Sequence, residues 1–294
     1  MIFWAFSFIW FKEANQNLYP VTIVFLRLVI AVILISAFLL LTKGFRKIEK
    51  KDRRLFLMLA VFEPFLYFIG ESFGLTYVSA TVGSVIISTI PVFATISAWL
   101  LFRERLRPIN YAGIIISFIG VIIFISNHNG TISFNLKGLL LLTLAVFSAV
   151  GYNLTLSRLV GSYSPFFIVL VQNIIGGILF LPLFLILDYN HFISQPWTFK
   201  MFVPVLELAF FASCGAFILF AYSVNKIGIT KANVFTNTIP LFTALFAFFI
   251  LNEKLSFQHM TGMIVVIAGI LMSQINGRQK KGADEALVLT GKTA

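Results

Sequence analysis

Ten apolar stretches, broken only by short polar segments, leave this chain very few ways to fold. Their approximate spans are 2–18, 20–42, 55–76, 80–102, 109–126, 137–159, 165–187, 202–224, 232–251 and 257–275. A bilayer core takes about 20 apolar residues per helix, within a range of roughly 17–25. Most of these stretches are apolar on every face rather than along one stripe, so no single packed core in water would bury them. Composition agrees: 59% of residues are hydrophobic and 11% charged, against about 45–50% and about 25% in soluble domains. The expected fold class is an all-α integral membrane protein of ten transmembrane helices. The first span is short and carries Lys12 and Glu13, as a tilted or partly interfacial helix would, or a chain whose natural start lies upstream of Met1. Residues 1–11 lack a basic n-region, so no cleavable signal peptide is expected.

The net charge of +11 matters through where the cations fall. With alternating crossings, one side receives Lys43, Arg46, Lys47, Lys50, Lys51, Arg53, Arg54, Arg103, Arg105, Arg107, Arg158, Lys226, Lys231, Arg278, Lys280, Lys281 and Lys292. The other receives Lys137, Lys200 and Lys254, while Lys12 and Arg27 fall within helices. This segregation predicts both termini on the cytoplasmic side of a cell (inner) membrane. A nucleic-acid partner would call for a basic face on a soluble domain, and there is none. The lone Cys214 lies in an apolar stretch, which excludes a disulfide framework. Residues 276–294 are polar and unpatterned and read as a disordered cytoplasmic tail.

The chain also repeats itself. At a shift of 149, Thr81, Val85, Thr89, Ile90, Pro91, Phe93, Ala98, Glu104, Leu106, Gly113, Ile115 and Gly120 fall on Thr230, Val234, Thr238, Ile239, Pro240, Phe242, Ala247, Glu253, Leu255, Gly262, Ile264 and Gly269. Earlier in each half the shift is 145, and Pro20, Ile23 and Val24 meet Pro165, Ile168 and Val169. The units are residues 1–126 and 137–275, five helices each. An odd number of crossings makes the second unit enter from the opposite side. The result is an inverted repeat about an axis in the membrane plane. That architecture suits alternating access, with substrate near the midplane.

The runs TIPVFATISAWLLFRERLRPINYAGIIISFIGVIIF and TIPLFTALFAFFILNEKLSFQHMTGMIVVIAGI resemble the paired signature of the drug/metabolite transporter superfamily, the EamA family in particular. In each, a proline opens an apolar helix that ends in Glu, a basic residue and Leu, and a Gly-spaced helix follows. The start, FWAFSFIWFKEAN followed by FLRL, is similar to the family's first two helices, with Ala5 where Gly commonly follows the Trp. The resemblance covers nearly the whole chain apart from the tail. It implies a ten-helix fold around a central cavity and movement of small metabolites such as amino acids.

Ionisable groups at depth are expensive in a bilayer and mark function by default. Glu63, Tyr67 and Glu71 stand at i, i+4 and i+8, one face of a helix, their carboxylates about 12 Å apart along its axis. They are candidates for substrate binding, and Glu63 and Glu71 for proton coupling; otherwise they pair with Lys12 or Arg27 as structural glue. Pro64 adjoins Glu63 and loosens the backbone there. Arg27 faces either a substrate carboxylate, Glu13 or a helix end. Lys12 is either a cavity lysine or one that snorkels to the interface. Trp4 can stack on substrate, and Asn153, Gln172, Asn233 and Asn237 can hydrogen-bond it or join helices. Pro91 and Pro240, at matching positions, are expected to kink or hinge two helices. Glu104 and Glu253 read as caps or interfacial ion pairs.

No HExxH, GxSxG or GxxxxGK[ST] motif is present, and His128, His191 and His259 lack metal-ligand spacing. An enzyme is therefore not expected, nor a cofactor or metal. The expected partners are a small-molecule substrate, the lipid bilayer and protons; self-association carries no signal either way. The expected function is secondary transport of amino acids or related zwitterions by alternating access, in the direction of export. The alternative is a proton-coupled exporter of hydrophobic cations.

Overall fold

A computed structural model describes residues 1–102, 107–125, 135–254 and 256–275. Glu104, His128 and the tail 276–294 lie outside these residues. The described residues form ten helical segments: α1 (Ile2–Ala14), α2 (Pro20–Leu41), α3 (Lys50–Tyr77), α4 (80–102), α5 (Pro108–Ile125), α6 (Leu136–Leu159), α7 (Pro165–Ser194), α8 (Phe199–Ile227), α9 (229–250) and α10 (Phe257–Ser273). Among the described residues seven helices are long and apolar enough to cross a membrane, and two shorter apolar ones lie in α5 and α10. The first helix has 13 residues and ends at Ala14, short of the expected 18. Large apolar side chains such as Ile33, Leu41, Ile115, Ile178, Ile186, Phe199 and Phe249 stand exposed, which suits a surface solvated by lipid tails rather than water.

The two five-helix units meet at several seams, of which α5 against α10 is the tightest. A methyl group added at Gly262 would lie 2.6 Å from the Phe124 amide nitrogen, and one at Gly113 would lie 2.6 Å from the Gly269 carbonyl oxygen. One at Gly269 would overlap the Ser117 backbone. Residues 113, 117, 120 and 124 thus face 269–273, 269, 266 and 262 in turn, so the helices run antiparallel. Equivalent helices of an inverted pair must do this. The glycines that permit the approach are the ones that recur at a shift of 149.

Paired interruptions are the other mark of the repeat. Helix α4 breaks at Ser88–Thr89, between Ala80–Ile87 and Ile90–Phe102. Helix α9 tightens to a 3-10 turn over Phe235–Thr238 before Ile239–Ile250. Pro91 and Pro240 each occupy the second position of the segment after the break. There a proline's missing N–H costs nothing and its fixed φ suits the helix. The expected kink therefore falls just ahead of each proline. Helix α3 is kinked within Val61–Leu66, where Glu63 leaves the helical region, and helix α8 widens to π-helical turns over Leu208–Ala216; at a shift of 149 the two segments overlap.

The face opposite the termini is tied across the units by carboxylates. Glu253 accepts hydrogen bonds from the Ala80 N–H (2.8 Å), the Thr81 N–H (3.2 Å) and the Thr81 hydroxyl (2.6 Å). It caps α4 from the loop before α10. Asp188 accepts from the Thr22 N–H at 2.8 Å and the Thr22 hydroxyl at 3.1 Å, at the start of α2. Helix N-termini leave amides unpaired and favour negative charge. Removing the α4 cap with Glu253→Ala should cost about 1–2 kcal/mol and lower the melting temperature in detergent by a few degrees. An unchanged melting curve would rule out a stabilising role for this cap.

Candidate functional site

The site begins with a local sequence effect. Proline has no N–H to donate, and its ring disfavours helical backbone at the residue before it. Glu63, which precedes Pro64, accordingly adopts φ −147° and ψ 120°, an extended conformation inside α3. The three predicted residues therefore do not stand on one uninterrupted helix face, and the 12 Å axial spacing does not apply across the break. They still converge on one cavity. Glycine at position 176 of α7 makes room for the Pro64 ring, which a methyl there would overlap.

Glu63 is buried at 6% exposure, and among the described residues its carboxylate has neither a hydrogen bond nor an ion pair. Glu71 is buried too and accepts a 2.9 Å hydrogen bond from the Tyr67 hydroxyl. Arg27 is buried on α2 at 2% exposure. Its Nε donates to the Ser213 hydroxyl oxygen at 2.8 Å, and its guanidinium lies 4.4 Å from the centre of the Phe68 ring. Among the described residues the only ion pair is Lys51–Glu49 at 2.9 Å, on the surface. Arg27 is thus paired with neither carboxylate. Its terminal nitrogens remain available to a ligand. Of the three alternatives for Arg27, the geometry disfavours Glu13 and a helix end.

These groups line a cavity of about 60 Å³, well above the roughly 10–15 Å³ that a single water requires. Two unlike walls enclose it. Helices α2 and α3 contribute Arg27, Glu63, Tyr67, Phe68 and Glu71, and the facing wall contributes Trp4, Phe8, Phe217 and Phe220. The Trp4 ring packs edge-on to Phe217 at 5.4 Å and tilted against Phe220 at 5.1 Å. At a shift of 149, Glu71 falls on Phe220 and Glu63 on Ala212, so the second half has an apolar residue at the counterpart of each carboxylate, and Trp4 and Phe8 of α1, in the first half, complete the apolar wall. Asn153 and Asn233, 3.4 Å apart, with Tyr152, Ser88 and Thr236, add neutral hydrogen-bonding groups.

The lining reaches Trp4 and Asn233, within the first turns of α1 and α9 at the face that carries both termini. Toward the other face it stops at Arg27 and Glu71. These lie about 10 Å and about 9 Å from the ends of their helices at 1.5 Å per residue.

The structure brings together Trp4, Arg27, Glu63, Tyr67, Glu71, Asn153 and Asn233. Three candidates lie elsewhere. The Lys12 ammonium donates to the carbonyl oxygens of Leu75 at 2.5 Å and Val78 at 2.6 Å, capping the end of α3. Gln172 is fully buried behind the wall and accepts a long 3.3 Å bond from the Tyr152 hydroxyl. Asn237 turns toward Gln274, the residue just after α10, at 3.5 Å. Ser213, Phe68 and the wall residues Phe8, Phe217 and Phe220 are participants that the sequence reading missed. Ser213 carried one signal: at a shift of 149 it is the counterpart of Pro64. Among the described residues no three His, Cys, Asp or Glu side chains gather as a metal ion would require.

The model of the EamA-like transporter family matches residues 1–126 and 136–274. An Archaeoglobus fulgidus protein named as an uncharacterized transporter is 28% identical over 95% of this chain and 96% of its own length. Bacillus subtilis YetK, named in the same way, is 27% identical over 86% of this chain and 77% of its own. A Haemophilus influenzae protein, also named an uncharacterized transporter, is 29% identical over 74% and 75%. A solved crystal structure of a protein 13% identical in sequence superposes with a TM-score of 0.68 over 92% of both chains, a likeness of fold.

Proposed function

Since this chain belongs to the EamA-like transporter family, and is thus a multi-pass membrane transporter, we propose that it is a proton-coupled secondary exporter of small zwitterions, amino acids first among them. The observation that carries this reading is Arg27, buried with its terminal nitrogens unpaired, in one cavity with two carboxylates to which it is not ion-paired. Arg27 takes the substrate carboxylate as a charge-assisted, two-pronged partner. Glu71, held by Tyr67, takes the ammonium. Glu63, without a partner of its own, carries the coupling proton. The apolar wall of Trp4, Phe217 and Phe220 receives the rest of the molecule.

Charge counting favours a zwitterion over the runner-up, a hydrophobic cation, because a cation alone would give Arg27 no partner. Segregation of Lys and Arg supports cytoplasmic termini in a cell membrane. The cavity then approaches the cytoplasmic side, which favours loading from there and release outward. Paired breaks in α3, α4, α8 and α9 supply the flexible points that alternating access needs.

Counterflow in proteoliposomes tests the substrate class, using a labelled amino-acid mixture, a cationic dye and a sugar phosphate in parallel. The amino acids should exchange and the sugar phosphate should not. Exchange of the dye alone would replace this reading with the cation exporter.

A further inference from the structure

The guanidinium of Arg27 needs more than burial to serve as a binding group, because its side chain has four rotatable bonds and must present two nitrogens in a fixed direction. From the geometry we infer that Ser213 is the positioning residue of the site. Its hydroxyl accepts from Arg27 Nε at 2.8 Å while Phe68 covers one face of the guanidinium at 4.4 Å. Nε is the one nitrogen that, once bonded, leaves both terminal nitrogens free and fixes the plane of the fork.

Ser213 is itself held. It is buried at 1% exposure, outside the cavity lining, within the π-helical turn Leu208–Ala216 of α8. Its carbonyl oxygen accepts from the Asn173 side chain of α7 at 3.5 Å. The next residue, Cys214, directs its thiol to the Ala31 carbonyl of α2 at 3.8 Å. A π-helical turn adds a residue to one turn of helix and turns the side chains there to new directions. Ser213 thereby reaches Arg27 across the boundary between the halves: Arg27 and Phe68 belong to the first unit, Ser213 and Asn173 to the second. Arg27 orientation is consequently tied to how the two units sit, so a move of α8 against α2 redirects the substrate's anchor.

This inference rests on the proposed role of Arg27, and a double-mutant cycle separates the two. Wild type, Ser213→Ala, Arg27→Gln and the double variant are reconstituted and assayed by counterflow of a labelled amino-acid mixture, then of the component giving the strongest wild-type signal. Ser213→Ala should raise the half-saturating concentration roughly tenfold, as loss of one hydrogen bond to a charged group does, with the maximum rate within about twofold. On the Arg27→Gln background it should add nothing, because its partner is gone. Inhibition by the amino acid should weaken in Ser213→Ala, while inhibition by the corresponding amine lacking a carboxylate should not. If Ser213→Ala does not fold, Ser213→Cys, of similar size with a weak acceptor, carries the same expectations.

An unchanged half-saturation in a folded Ser213 variant overturns the inference, as does a penalty that adds in full on the Arg27→Gln background. Wild-type transport by Arg27→Gln overturns the zwitterion site itself, and the positioning role with it.

Discussion

Glu63→Gln is expected to abolish accumulation of substrate driven by a proton gradient while leaving exchange of substrate for substrate intact. Glutamine keeps the size of the side chain and its ability to hydrogen-bond, but cannot take up or release the proton. Exchange returns the carrier loaded in both directions and needs no net proton movement, so it survives. Accumulation does need it. With one proton per substrate, each pH unit is worth about 1.4 kcal/mol, a tenfold concentration ratio, and the variant should fall from that ratio to unity. Glu71→Gln should behave differently. Its carboxylate is engaged by Tyr67 at 2.9 Å and is the group assigned to the substrate ammonium, so exchange and accumulation should fall together through weaker binding. Full accumulation by Glu63→Gln would transfer the proton to another group.

The second large effect concerns the fold. Gly269→Val should abolish recovery of monodisperse protein in detergent. At that position even a single methyl overlaps the Ser117 backbone, and a backbone cannot escape by changing rotamer. Overpacking typically costs about 1–3 kcal/mol where side chains can shift, and the cost here should exceed that range. The inverted symmetry gives the same expectation for Gly113→Val, which meets the Gly269 carbonyl and the Ser273 backbone. Gly177→Ala is the control: nothing lies within 4 Å of the added methyl, and the variant should be recovered as well as wild type. Normal yields of Gly269→Val would mean that α5 and α10 do not pack as closely as described.

Both expectations draw on features that were partly legible in the sequence, for different reasons. The recurring glycines were visible because a seam between equivalent helices meets itself across the pseudo-two-fold, so the same small residues must appear twice. Glu63, Glu71 and Arg27 were visible because charge at depth is costly, and little else keeps such residues there. Lys12 was not assignable, since a lysine stem can reach either a cavity or a helix end, and only the folded structure brings it to the carbonyls of Leu75 and Val78. Asn237 shares a helix face with Asn233 on a regular spacing, but the 3-10 turn Phe235–Thr238 changes that spacing and turns it toward α10. Ser213 carried no charge and no motif, and its reach to Arg27 depends on a π-helical turn that local composition does not announce. Pro64 did announce the break in α3, since proline constrains its predecessor wherever it occurs.

The most direct test of a proton-coupled zwitterion site is accumulation in vesicles made acidic inside by one pH unit. An exporter that exchanges substrate for protons gathers substrate in the acidic compartment. Wild-type proteoliposomes given a labelled amino-acid mixture should concentrate at least one component inside, up to roughly tenfold for one proton, and a protonophore should collapse the ratio. A ratio of one, with or without the gradient, for every amino acid in the mixture would contradict the account.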